Sequence, residues 1–150
     1  MDIECTCAAL RMAARRVSQA YDAALTPEGL SVSQYSVLSN LAKREALGAP
    51  TMGDLADLLG LDRTTLAHNL RPLERDGLVE LSADPSDGRQ RRVSLTAAGR
   101  ARRDRCQPLW RAAQARFDAE FGAESSRALR DTLVAIARPA DRRPSHPETE

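Results

Sequence analysis

Apolar positions near the start of the chain fall at Ile3, Cys7, Leu10, Ala14, Val17, Tyr21 and Leu25, steps of three and four that draw one stripe along a helix. Pro27 and Gly29 end it. A second helix is expected after Ser33, taken as its cap, through Tyr35, Leu38, Leu41 and Ala42 to Arg44, with Gly48 and Pro50 breaking the chain after it. In TMGDLADLLGLDRTTLAHNLRPLERDGLVE, Thr51 caps a short helix that turns Met52, Leu55 and Leu59 inward and stops at Gly60. Asp62 caps the next helix, whose buried stripe is Leu66, Leu70 and Leu73 and whose end is Gly77. Two short helices across a glycine-containing turn form a helix-turn-helix candidate, because so tight a turn forces a large crossing angle.

The period then changes from helical to alternating. LVELS reads as a strand, DPSDGRQ as a turn and RRVSL as the returning strand, with Asp87-Gly88 the strongest hairpin signal. Thr96 caps a long helix running to about Phe121, and Glu124 to Ala137 form another with Leu129, Leu133 and Ile136 on one face. Pro72 and Pro108 interrupt two of these helices, and each is expected to remove one backbone bond and kink its helix. PADRRPSHPETE carries three prolines and no core residues, which predicts disorder over 139–150. The fold class expected is mainly α with a small β-hairpin wing. A winged helix-turn-helix at about 33–99 is flanked by terminal helices at about 3–25 and 96–138.

Composition narrows the function classes. A chain of 150 residues, 42% hydrophobic, can bury one ordinary core. No apolar run approaches the roughly 18 residues of a membrane span, and MDIECTC has neither a basic leader nor an apolar signal core, so a cytoplasmic protein with no membrane partner is expected. The net charge is only +1, yet Arg89 to Arg105 holds seven arginines against Asp104 alone, a candidate polyanion surface. Of the 22 basic residues only Lys43 is a lysine; forked phosphate contacts and genomic base composition both produce that bias. There are two histidines and no glycine-rich phosphate loop or paired catalytic spacing, so neither an enzyme nor a cofactor is expected.

LDRTTLAHNLRPLERDGLVE followed by DPSDGRQRRVSLTAAG resembles the MarR family of bacterial winged-helix transcription regulators. The likeness runs from the first helix to about Arg138, and the pairing of DxR with LTxxG in the wing is its most specific part. It implies a homodimer in which the first and last two helices intertwine, each subunit offering one winged helix to a pseudo-palindromic operator in double-stranded DNA. The pattern agrees, since terminal helices with apolar stripes have too little of the small central unit to cover them. It further implies a repressor, released when an effector that prefers the wrongly spaced dimer shifts the population. Small aromatic or phenolic acids fill that role in the family.

Steps of about 100° along the second helix of the pair put Thr64, His68, Arg71 and Arg75 opposite the leucine stripe, with Thr65 on the flank. In a major groove, threonine meets thymine methyls or base edges and arginine pairs with guanine. Arg63 and Asn69 lie nearer the core edges, which suits phosphate contact or internal bonding. The resemblance sends Arg89, at the hairpin tip, into the adjacent minor groove, and makes Asp87 the partner that holds Arg89 or a neighbouring arginine. Arg91 and Arg92 point to opposite faces of the returning strand, so one of them faces phosphate.

The three cysteines are too few for a disulfide framework. Cys7 lies on the first apolar stripe, and CAALRMAARRV resembles the reactive-cysteine helix of the hydroperoxide-sensing branch of the family. Arg11 and Val32 stand where that branch carries thiolate-binding tyrosines. Two readings stay open, a redox-sensing thiol whose pKa Arg11 lowers and a small buried hydrophobe. In one helix Cys5 and Cys7 would point about 200° apart, so they grip one ion only if the N-terminus unwinds. A metal-responsive regulator with a three-thiolate site completed by Cys106 of a second copy is the further alternative, but the spacing does not support it and no metal site is expected. A winged helix used only for protein contacts is the remaining alternative.

Overall fold

The computed structural model describes residues 4–137. Helix α1 spans Thr6–Leu25, α2 Val32–Arg44, α3 Met52–Leu59 and α4 Arg63–Arg75; strands β1, Val79–Ala83, and β2, Arg91–Leu95, precede α5, Ala97–Phe121, and α6, Ala123–Ala137. Single 3-10 turns follow α1 and α2. The chain divides into two units, one through Ala113 and one from Gln114 onward. Residues 139–150, expected to be a disordered tail, lie outside the described residues, as do Ile3 and Arg138.

In the first unit a leucine-rich core gathers Leu25 and Leu30 with Leu38 and Leu41 of α2, Leu55 of α3, Leu66, Leu70 and Leu73 of α4, and Val93 of β2. Each such side chain contributes roughly 1.5–3 kcal/mol by leaving water. Local chemistry sets the ends of the elements. Thr51 caps α3 in a reciprocal box with Asp54, and Gly60, at φ 64°, stops it. The cap of α2 is Ser31 rather than the expected Ser33: its hydroxyl accepts from the Gln34 amide at 3.2 Å while the Gln34 side chain accepts from the Ser31 amide at 3.0 Å. Asp22 adds a second anchor, accepting from the Val32 amide at 2.6 Å. Strand β1 starts one residue later than expected, because the Leu78 amide donates back to Leu73 O at 2.8 Å and closes α4. Pro72 and Pro108 lie inside α4 and α5, which run on past both.

The hairpin pairs Val79 with Leu95 and Leu81 with Val93 in antiparallel register. A third segment, unforeseen in the sequence, lies along β2: the Val93 amide donates to Pro50 O at 2.9 Å, and Thr51 bridges Arg92. Thr96 joins the wing to α5, donating to Gly77 O at 2.7 Å and accepting from the Gly99 amide at 3.0 Å. Gly99 sits so close to the α4–β1 junction that an added Cβ would lie 1.9 Å from Leu78 O.

The second unit is the end of α5, a turn at Gly122 with φ 84°, and α6. The rings of Phe117 and Phe121 are 4.7 Å apart, and Arg130 pairs with Asp118 at 3.3 Å. Leu129, Leu133, Val134 and Ile136 on α6 are exposed, as are Leu10 and Met12 on α1 in the first unit. Cys7, on the same α1 stripe, is also exposed, which removes the buried-hydrophobe reading within a single chain. No helix among the described residues is long and apolar enough to cross a membrane.

Candidate nucleic-acid interface

The turn Gly60-Leu61-Asp62 sets the second helix of the pair. The Leu61 amide donates to Ala56 O at 2.9 Å, and Asp62 then starts α4 by accepting from the Thr65 amide at 2.9 Å and the Thr65 hydroxyl at 2.6 Å. Those bonds, the hydroxyl's first, hold the Asp62 carboxyl below the usual carboxylate range. The Thr65 hydroxyl therefore serves the cap, leaving its methyl as the free part. Beyond it, α4 buries Leu66, Leu70 and Leu73 and exposes Arg63, Thr64, His68 and Arg71. Asn69 is half-buried and donates to Thr65 O at 3.2 Å, the internal bonding its position suggested. Arg75 is exposed but paired with Asp76 at 2.9 Å, which lowers the Asp76 pKa.

In the wing, the aspartate that organises the loop is Asp84, which no motif in the sequence singled out. It is buried and accepts from the Ser86 amide at 2.7 Å, the Ser86 hydroxyl at 2.5 Å, the Asp87 amide at 3.0 Å and Arg92 Nε at 2.5 Å. The Ser86 hydroxyl foremost, with those amides and the guanidinium, outweighs burial and holds the carboxyl far below its ordinary value. Arg92 extends the clamp by donating to Ala49 O at 2.6 Å. Asp87 has a smaller part than expected. It accepts from the Arg89 backbone amide at 3.1 Å and Gln90 Nε2 at 3.2 Å, shaping the turn without gripping a guanidinium.

The arginine-rich stretch divides in space. Arg92 pairs with Asp84, Arg100 with Glu45, Arg103 with Asp104, and both Arg102 and Arg105 with Glu28, at 3.6 and 2.9 Å. Only Arg89 and Arg91 of the seven have no carboxylate partner among the described residues, and Arg91 donates to Leu81 O at 3.0 Å. These two meet Arg63 around a notch of about 160 Å³, lined also by Thr51, Met52, Gly53 and Gln90, none of them acidic. Gly53 makes room there, since a Cβ at that position would come within 3.2 Å of Arg63 Nη2. The structure thus brings Arg63, Arg89 and Arg91 together at the junction of α4 and the wing. Thr64, His68 and Arg71 continue along the open face of α4.

A capped, exposed second helix beside an arginine-tipped hairpin defines a winged helix-turn-helix. Known proteins agree. The MarR family model matches residues 28–90. The transcriptional regulator MosR of M. tuberculosis, solved in complex with DNA, is 40% identical, superposes with a TM-score of 0.80, and is covered over 97% of its chain by 92% of this one. CouR of Rhodococcus jostii RHA1, solved bound to p-coumaroyl-CoA, is 29% identical with a TM-score of 0.74, over 87% of this chain and 90% of that one. The HTH-type transcriptional repressor Rv2887 of Mycobacterium tuberculosis is 33% identical over 114 residues, 76% of this chain and 80% of its own. The chain spans only 44% of another curated relative, a transcriptional activatory protein of Rhodopseudomonas palustris, matched over 77 residues, 51% of this chain, at 36% identity. The chain belongs to the MarR family; it is a DNA-binding transcriptional regulator and not an enzyme.

Proposed function

We propose that the protein works as a homodimeric repressor that reads a pseudo-palindromic operator in double-stranded DNA and is released by a small aromatic or phenolic effector. The observation that carries the reading is the notch where Arg63, Arg89 and Arg91 converge with no acidic lining, beside the exposed polar face of α4. Thr64, His68 and Arg71 face base edges in the major groove, and Thr65 offers its methyl to a thymine. Arg75 turns from Asp76 to a phosphate when DNA arrives. Arg63 and Arg91 hold the backbone between the grooves, Asn69 braces the helix, and Arg89, on a turn shaped by Asp87, enters the minor groove. The exposed apolar residues of α1 and of α6 are the surfaces a second copy would cover. CouR's complex with p-coumaroyl-CoA supports an aromatic effector, and the name of Rv2887 supports repression.

Selection of genomic fragments by the full chain tests this. An inverted repeat with half-sites about one helical turn apart is expected, with affinity falling linearly in log salt and light scattering reporting two chains. Recovery of fragments with no shared sequence, bound equally well as random duplex, would remove the reading.

A thiol-based regulator is the second reading, favoured by one feature: exposed Cys7 shares a surface cavity of about 470 Å³ with Arg11 and Arg15. Oxidant-driven release from DNA that disappears in Cys7→Ser would support it, and identical release by both proteins would end it.

A further inference from the structure

Strand β2 sends its two neighbouring arginines to opposite sides. Arg91 lines the notch with Arg63 and Arg89, whereas Arg92 is spent inside the protein. Its Nη1 donates to Ala49 O at 2.6 Å, in the linker that leads into α3, and its Nε donates to Asp84 Oδ2 at 2.5 Å, at the mouth of the hairpin loop. The backbone on either side of that guanidinium is tied to the same linker, since Arg92 bridges Thr51 and the Val93 amide donates to Pro50 O at 2.9 Å. One side chain thus joins the start of α3 to the loop that carries Arg89.

Asp84 divides its two oxygens between these tasks. Oδ1 accepts from the Ser86 amide, the Ser86 hydroxyl and the Asp87 amide and so winds the loop, while Oδ2 takes Arg92. The winding reaches the tip, because Asp87 accepts in turn from the Arg89 amide at 3.1 Å and the Asp84 amide closes the loop on Gln90 O at 2.9 Å. Residues 85–90 are otherwise exposed, so the direction in which Arg89 leaves the hairpin is inherited from Asp84. An ion pair with one buried partner adds little net stability over apolar packing of the same size. What a forked guanidinium on two acceptors supplies is a fixed geometry.

The geometry points to Asp84 and Arg92 as positioning residues for DNA reading, which hold Arg89 at a set place relative to α4 so that the minor and major grooves are met together. Neither acts by touching DNA. The pair spares the complex the cost of ordering an exposed loop at the moment of binding. This rests on the minor-groove reading of Arg89 and extends it to two residues behind the tip.

The variant Asp84→Asn isolates the link. An asparagine keeps one oxygen for the three donors of the loop and turns an amide N–H towards the guanidinium, where it meets another donor. Wild type, Asp84→Asn, Arg89→Ala and the double variant, each checked as folded by circular dichroism, are titrated as full chains by fluorescence anisotropy. The probe is a labelled duplex recovered by the genomic selection. Asp84→Asn is expected to bind about five- to tenfold more weakly per half-site. Electrostatics alone gives the opposite sign, because the variant has lost a negative charge from the DNA-binding hairpin. In the Arg89→Ala background the same change should cost less than about twofold, since no Arg89 is left to position. A purely structural loss would weaken both backgrounds alike. Arg92→Lys, which keeps the charge but not the fork, should weaken binding as Asp84→Asn does and add nothing when combined with it. Asp84→Asn binding as tightly as wild type, or losing the same factor in both backgrounds, overturns the assignment while a weakened Arg89→Ala keeps the minor-groove reading. Arg89→Ala binding like wild type removes that reading and the positioning roles together.

Discussion

Replacing Gly99 by alanine places a methyl group where the fold has no room. The added Cβ would stand 1.9 Å from Leu78 O, 2.9 Å from Leu78 C and 2.8 Å from Leu95 Cδ1. An ordinary C···O contact is about 3.3 Å, so the start of α5 must withdraw from the α4–β1 junction by well over 1 Å. That movement strains the Thr96 bonds to Gly77 O and Leu78 O, and the Thr96 cap on the Gly99 amide. Overpacking costs about 1–3 kcal/mol, and loss of the cap with one hydrogen bond about 2 kcal/mol more. Alanine's higher helix propensity returns at most about 1 kcal/mol. A net loss of about 2–4 kcal/mol is expected, a large part of an ordinary domain's stability. Urea unfolding at fixed protein concentration, followed by circular dichroism, measures it, with exposed Ala98→Ser as a neighbouring control. A Gly99→Ala protein as stable as wild type would refute the close-approach argument, because helix propensity would then be the only term left.

Three further outcomes are expected. Arg89→Ala should cost roughly 1–3 kcal/mol of operator binding per half-site and reduce the salt slope by about one, read by fluorescence anisotropy across a salt series; unchanged affinity at matched salt rejects the minor-groove assignment. Asp84 has a depressed folded pKa, so it stabilises the fold above its unfolded value near 4, and that contribution drains away as the pH falls through lower values; Asp84→Asn should be less stable at neutral pH and show a flatter acid limb in pH-dependent melting, and parallel curves would contradict this. Asp62→Asn should keep the start of α4, since an amide oxygen still accepts from the Thr65 amide, whereas Asp62→Ala should fray it and lower operator affinity; equal hydrogen-exchange protection of α4 in the two variants would count against the cap.

Much of this molecule is legible in the order of its residues because the decisive interactions are local. Thr51, Asp62 and Thr96 start their helices as a cap residue should, Gly60 stops α3, and the leucine stripe of α4 leaves its polar face open. One departure from expectation is also local: Ser31-x-x-Gln34 is a capping box that outranks Ser33. Asp87-Gly88 does hold a turn, the Gln90 amide donating to Asp87 O at 2.9 Å, and Asp84, two residues before Ser86, adds side-chain bonds that the turn signal did not announce. What lies hidden depends on residues distant along the chain. Glu28 and Glu45 pair with Arg100, Arg102 and Arg105 of α5 from more than fifty positions away, which together with Asp84 and Asp104 leaves Arg89 and Arg91 as the arginines of the stretch without a carboxylate partner among the described residues. The pairing of Pro50 with Val93 and the crowding at Gly99 are of the same kind. No periodicity or cap signal reports a contact between segments so far apart.

Thr51 holds two posts at once, closing the first turn of α3 with Asp54 and sitting in register with Arg92 at the edge of the hairpin. Residues 87–90 lie outside that seam, whereas Asp84 is tied to it through Arg92, and a slip of β2 by one residue would pull on the cap of the helix that supports α4. Substitution at the tip of the hairpin is thereby expected to leave the seating of β2 on the start of α3 unchanged, whereas substitution at Thr51 or Arg92 reaches both elements at once.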